Sequence, residues 1–304
     1  MPDVYAVSSA KGGVGKTTTA VNLAATLAAA GNEVVAVDGD IGTPNFGAAV
    51  GLETAGPTIH DLLAGEATLA AATYEGPHGM RIVPGRDDLT AFREADPGRL
   101  GPILAEIDAE YVIVDTSAGL THGSALPMSV ADGTLLVTTP DRDAVSATRK
   151  TAQLTRELGG SVAGVALNRA TTTDEATGID APVLGRIPDS QLIADACGAA
   201  EPITVHAPAS EEAAAYRRLA SRLTVTRVAP PPDVDRASTA GTGAETADVG
   251  VTVEHDERDD RTLNRDADAT DTTQTTDSTQ VSDSTQVSDS TQVSDSTQVS
   301  DSTQ

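Results

Sequence analysis

Short apolar runs alternate with alanine-rich or amphipathic stretches over the first 228 residues. The runs 4–7, 33–37, 81–83, 111–114, 134–138, 162–167 and 183–187 are rich in Val and Ile and bounded by Gly, Pro or Asp. Such runs predict short strands buried on both faces of a sheet. Between them, 16–30 is alanine-rich and stops at Gly31, as a helix would. Residues 141–158 begin with Asp141 after Pro140, a candidate N-cap, and end at Gly159-Gly160. Residues 211–223 set Tyr216, Leu219, Ala220 and Leu223 on one helical face. Strand-helix alternation of this kind predicts an α/β domain over 1–228: a doubly wound, mostly parallel sheet with helices on both faces.

The pattern stops at Pro230-Pro231-Pro232. Residues 229–304 carry Thr, Ser, Asp, Gly and Gln with almost no apolar side chains, too few to offset the entropy of ordering, so a disordered acidic tail is expected. Its end, 277–304, repeats Asp-Ser-Thr-Gln-Val-Ser from Asp277, Asp283, Asp289, Asp295 and Asp301. One Val per six residues is too little to build the core of a β-solenoid.

Charge sharpens the division. The chain has 45 acids against 20 bases, a formal net charge of −25. Residues 1–229 hold 28 acids and 16 bases, and residues 230–304 hold 17 and 4, so the tail is about three times more acidic per residue. Lys11, Lys16 and Lys150 are the only lysines. An Asp-rich, Lys-poor surface fits a cytoplasm of high salt, or an ordinary acidic protein with an acidic tail. The single cysteine, Cys197, excludes an internal disulfide and a metal site built from cysteines of one chain. No run of about 18 apolar residues exists and the chain opens directly on a strand pattern, so neither a membrane span nor a signal peptide is expected, and the cytoplasm is the expected compartment.

The strongest chemical signal is Lys11-Gly12-Gly13-Val14-Gly15-Lys16-Thr17-Thr18 between a strand and a helix. Glycines let backbone N–H groups wrap phosphate oxygens, and the helix N-terminus adds its positive end. Lys16 is placed to reach the β- and γ-phosphates of ATP, and Thr17 to put its hydroxyl on Mg2+. Val37-Asp38-Gly39-Asp40-Ile41-Gly42, followed by Asn45, ends the second strand, and two Asp at i and i+2 of an extended segment face one side. Ile113-Val114-Asp115-Thr116-Ser117-Ala118-Gly119 is an apolar strand that delivers a carboxylate to the sheet edge where open α/β sheets bind ligands. Asn168-Arg169 and Ile187-Pro188-Asp189 end two later strands at the same edge.

With its first lysine, the loop resembles the deviant Walker A box of the MinD/ParA superfamily of P-loop ATPases, also called the SIMIBI class, and is most like archaeal MinD-type ATPases. The resemblance covers about 1–227. It implies Mg-ATP as ligand, slow and partner-stimulated ATP hydrolysis, and an ATP-sandwiched homodimer in which Lys11 reaches the partner's phosphates. It further implies that Asp38 and Asp115 organise Mg2+ and its waters with Thr17, and that Asp40 positions the attacking water. Lys11, Lys16 and Asp40 are thus the implied catalytic set. Asp38, Asp40, Asn45, Asp115 and Gly119 form the implied switches, and Asn168, Arg169, Pro188 and Asp189 the adenine contacts. Such a switch would act in spatial positioning, of a division site, a chromosome or plasmid, or another machine.

Within the superfamily, a metabolic or cofactor-assembly ATPase is the alternative function. Cluster carriers need a cysteine pair, whereas Cys197 stands alone on an alanine-rich stretch, where a buried small side chain is expected. Val50-Gly51-Leu52-Glu53 adds to the MinD likeness. MinD proteins usually finish with a basic amphipathic helix; here the chain turns through prolines into acid, so direct membrane insertion is not expected. A protein partner or activator is implied, and through it a location at the periphery of membrane or nucleoid. ParA-like DNA contact would use Arg217, Arg218, Arg222 and Arg227, joined by Arg149, Lys150 and Arg156.

Overall fold

The computed structural model describes residues 1–119, 122–176 and 178–225. The acidic tail with its repeats, and Arg227, lie outside the described residues. Among the described residues eight strands run in chain order as β1 (Asp3–Ser9), β2 (Val34–Gly39), β3 (Tyr74–Glu75), β4 (Arg81–Val83), β5 (Tyr111–Ala118), β6 (Gly133–Thr138), β7 (Val162–Asn168) and β8 (Val183–Ile187). They form one sheet in the order β3-β4-β2-β5-β1-β6-β7-β8. Every pairing is parallel except β3 with β4. The helices are α1 (Lys16–Ala29), α2 (Ile59–Ala64), α3 (Leu89–Glu94), α4 (Leu100–Glu106), α5 (His122–Val130), α6 (Arg142–Glu157), α7 (Gln191–Gly198), α8 (Ile203–His206) and α9 (Glu211–Val225).

Alternate strand residues feed opposite faces, as a pleated strand requires. Tyr5, Val7, Val34, Ala36, Ile113, Leu135 and Val137 pack with α1 and α9 on one face. On the other, Val4, Ala6, Val35, Val37, Val112 and Val114 pack with α2 and α4, and Leu136, Val165 and Leu167 with α6. Eleven of the fourteen residues of α1 are buried, so its alanines serve close packing between the sheet and α9 rather than a wet face. Asn22, inside that helix, is satisfied: its amide donates to the Thr18 carbonyl at 2.8 Å and its oxygen accepts from the Ile203 N–H at 2.7 Å.

Two features position the site. β1 lies in the middle of the sheet, between β5 and β6, so the loop after it opens at the centre of the carboxyl edge. β2 and β5 are in register with Asp38 opposite Asp115. Gly39 keeps that register close, because a Cβ there would stand 2.8 Å from both the Asp115 carbonyl oxygen and Val114 Cγ1.

Asp141 is the N-cap residue of α6, where its backbone carbonyl accepts the Val145 N–H at 2.9 Å, but its carboxylate makes no cap bond and instead accepts the Thr139 hydroxyl at 2.8 Å. Among the described residues no helix is long and apolar enough to cross a membrane.

Candidate functional site

The loop from Ala10 to Gly15 turns out of β1 and into α1 through two left-handed glycines, Gly13 at φ 77° and Gly15 at φ 91°. Gly15 is the N-cap of α1, which has no side-chain cap and no acid in its first turn. The first-turn amides and the positive end of α1 are therefore free to meet an anion. Any Cβ on Gly15 would also collide with the side-chain amide of Asn168. That amide donates to the Val14 carbonyl at 2.7 Å and pins the loop to the end of β7. Gly15→Ala is accordingly expected to weaken ATP affinity at least tenfold, since it combines backbone strain with loss of the Asn168 bond, roughly 2 kcal/mol together. Calorimetric ATP titration of the variant checks this; wild-type affinity would contradict it.

The two lysines of the loop are in opposite states. Lys16 is buried, and its ammonium lies 2.7 Å from Asp115 Oδ1 and 3.5 Å from the Thr17 hydroxyl. Lys11 is exposed, and among the described residues its ammonium has no hydrogen bond or ion pair. Burial pushes the Asp115 carboxyl upward, while Lys16 opposes the shift. Asp115 Oδ2 is buried without a partner.

Asp38 lies across from Asp115 and is 1% exposed. It accepts the Phe46 N–H at 2.9 Å and the Asp40 N–H at 3.3 Å. Burial first, and the Asp115 charge second, push its carboxyl up to about 7 against those two bonds. Asp40 is nearly buried and accepts the Thr43 N–H at 3.2 Å. Gly119, at φ 90°, donates its N–H to the Ser9 carbonyl at 2.9 Å and so joins the end of β5 to the phosphate loop. Asn45 is exposed; its carbonyl accepts from the Ala49 N–H at 3.0 Å.

These carboxylates suit a hydrated divalent cation. An orphaned buried oxygen on Asp115 and a strained Asp38 both gain from a positive charge between them. Among the described residues no three His, Cys, Asp or Glu side chains converge into a metal cage. Mg2+ keeps most of its waters and takes one or two protein ligands plus phosphate oxygens.

The same geometry sets a pH dependence. Between the ordinary 3.8 and about 7, the folded protein holds a proton on Asp38 that the unfolded chain has released. Stability of the metal-free protein therefore falls as pH rises through that window and levels off above it. Asp38→Asn removes the charge but keeps only one of the two N–H bonds, because its NH2 replaces the oxygen that accepted the other. Its stability in EDTA should stay level between pH 4 and pH 8, whereas wild type should lose a few kcal/mol over that range. Parallel curves of thermal midpoint against pH would contradict this.

At the next strand ends, Asn168 lies opposite Ile187, and the Ala170 N–H donates to the Ile187 carbonyl at 2.9 Å. The structure thus brings Asn168, Arg169, Pro188 and Asp189 to one edge beside the loop. Arg169 is exposed and left-handed, at φ 52°. One N–H of Asn168 is committed to Val14, a part in shaping the loop that its place at a strand end does not announce.

Cys197 is exposed, contrary to expectation; α7 buries Ala196 instead, and the thiol lies 3.8 Å from the Thr18 hydroxyl. Arg217, Arg218 and Arg222 share one surface on α9, but Arg149, Lys150 and Arg156 do not join it, because α6 and α9 cover opposite faces of the sheet. Arg217 and Arg222 each donate to a backbone carbonyl, of Pro208 at 3.0 Å and Leu184 at 3.3 Å. Arg156 likewise reaches the Asp180 carbonyl.

An apolar cavity of about 500 Å3 is walled by Gly39–Thr43 on one side and by Ser117, Ala118, Leu126 and Pro127 on the other. Its lining is too apolar to suit a triphosphate. Phe46 and His60, which hold the segment after β2, were not foreseen from sequence. Phe46 had a signal, being one of only two phenylalanines and adjacent to Asn45; His60 had none.

The CobQ/CobB/MinD/ParA nucleotide binding domain family matches residues 5–203. An uncharacterized ATP-binding protein of Methanocaldococcus jannaschii is 34% identical over 232 residues, 73% of this chain and 88% of that protein. The cell division ATPase MinD of Pyrococcus furiosus superposes with a TM-score of 0.70 at 28% identity, covering 74% of this chain and 99% of that one. The septum site-determining protein MinD of Pyrococcus horikoshii, solved with Mg-ADP, superposes with a TM-score of 0.69 at 30% identity, covering 73% and 96%.

Proposed function

The chain belongs to the CobQ/CobB/MinD/ParA nucleotide-binding family, and from that premise we propose that it is an ATP-hydrolysing dimerisation switch acting in spatial positioning. One observation carries this reading. Among the described residues Lys11 is exposed and makes no hydrogen bond or ion pair, in the same loop as the buried, paired Lys16. That exposed charge is available for phosphates that arrive on a second copy, in the manner of an arginine finger.

Each residue then has a part. The loop amides from Gly12 to Thr18 and the end of α1 bind the phosphates. Lys16 exchanges Asp115 for phosphate oxygens. Thr17, Asp38 and Asp115 hold Mg2+, which supplies positive charge against the transferring phosphoryl group. Asp40 orients the attacking water, and Asn45 and Gly119 carry the nucleotide state into the loops around them. Asn168, Arg169, Pro188 and Asp189 border the base. Release of phosphate removes the ligand Lys11 was reaching for and lets the copies part. The positioning role is supported by the division functions named for the two Pyrococcus proteins.

The test is ATP turnover at rising protein concentration with Mg2+ and with EDTA. Turnover per chain should rise with concentration, as a two-copy site demands, and vanish in EDTA. Constant turnover per chain, or none at all, would overturn the reading.

A further inference from the structure

His60 is 1% exposed and both its ring nitrogens are engaged. The Arg86 N–H donates to Nδ1 at 3.3 Å, which fixes the proton on Nε2, and Nε2–H then donates to the Ile41 carbonyl at 2.9 Å. Ile41 follows Asp40 directly. The ring therefore spans two loops: the one after β4 and the one that carries Asp40.

The base of this bridge is firmly built. Thr58 and Asp61 form a capping box at the start of α2, with the Thr58 N–H to Asp61 Oδ2 at 2.7 Å. Arg86 grips the same carboxylate through two nitrogens, at 3.2 and 3.3 Å. The Ile59 N–H donates to the Pro84 carbonyl at 2.9 Å. Gly85 lies so close under Pro44 that a Cβ on it would collide with that ring. Helix α2 and loop 84–86 thus act as one support, and His60 is the side chain through which it holds the Ile41 carbonyl. Ile59 and Leu63, from the same helix, line the apolar cavity beside Ile41. Without the imidazole, the segment would have open space to move into.

We propose that His60 is a positioning residue that holds the segment after β2 and, through Ile41, sets where the Asp40 carboxylate stands during turnover; this rests on the water-orienting role given to Asp40 above. His60 is neither in the phosphate loop nor among the residues given to Mg2+, so its loss should act on turnover and spare nucleotide binding.

Three full-length proteins test this: wild type, His60→Phe, which fills the space without an N–H, and His60→Gln, whose amide can still donate to Ile41. His60→Phe should lower kcat about tenfold with KM for ATP within about twofold, because a misplaced catalytic group slows chemistry more than binding. His60→Gln should recover most of kcat. Amide hydrogen exchange over 41–46, without nucleotide, should quicken in His60→Phe and stay near wild type in His60→Gln. If Phe keeps wild-type kcat and exchange at whatever thermal midpoint, His60 is only packing and the proposal fails. Faster exchange with unchanged kcat overturns it too. Should wild type itself fail to hydrolyse ATP, the proposed function falls, and exchange alone decides whether His60 holds the segment.

Discussion

Lys16→Ala is expected to lower ATP turnover by two to three orders of magnitude or more, on the scale of deleting one preorganised charge from a transition-state site, about 3–4 kcal/mol. It should also weaken the protein before any ATP is added. Lys16 is the partner of a fully buried carboxylate whose other oxygen already lacks one. Removing one member of a buried pair strands the other, at a cost of about 3–5 kcal/mol. For a domain of this size that is roughly a 10 °C fall in thermal midpoint. Adding Asp115→Asn should restore much of the midpoint and none of the turnover. ATP titration and thermal melts of the single and double variants check both halves. Wild-type affinity and turnover in Lys16→Ala would remove the phosphate site as described.

Asp40→Ala should behave differently, with turnover down about a hundredfold or more and ATP binding retained. Among the described residues Asp40 makes no hydrogen bond or ion pair with Lys16, and it lies in the wall of the apolar cavity, fixed by the Thr43 N–H. Asp40→Asn is the sharper variant, since its side-chain oxygen keeps that bond and only the water-orienting charge is lost. Both variants should accumulate the ATP-bound form, seen as a long-lived nucleotide complex in filter binding. Wild-type turnover in Asp40→Asn would take Asp40 out of that role, and loss of ATP binding would make it a ligand instead.

The parallel core was legible because its strands are dry on both faces and must be written in Val, Ile and Ala. Their ends were less so: β2 runs on through Asp38 and Gly39, and β5 through Asp115 to Ala118, because pairing with neighbouring strands holds polar residues extended. β3 is two residues long and makes two register pairs, too little to leave a pattern. α2, α3 and α4 have six or seven residues each, under two turns, where a helical period hardly shows. At the site, local spelling marked the phosphate loop and the carboxylates. It could not mark contacts that cross the chain. Asn168 reaches back to Val14, Cys197 to Thr18 and His60 to Ile41, and each partner is set by topology alone. That Arg149, Lys150 and Arg156 would not join the arginines of α9 could not be read locally either, since α6 and α9 are separated by the sheet.

ATP is expected to join two copies through Lys11, and the mass of the full-length protein by light scattering in high KCl tests this, with ADP, with ATP, and with ATP on Lys11→Ala. A dimer should form with ATP only and be lost on Lys11→Ala, while ATP still binds. A monomer in all three, or a dimer indifferent to nucleotide and to Lys11, would contradict it.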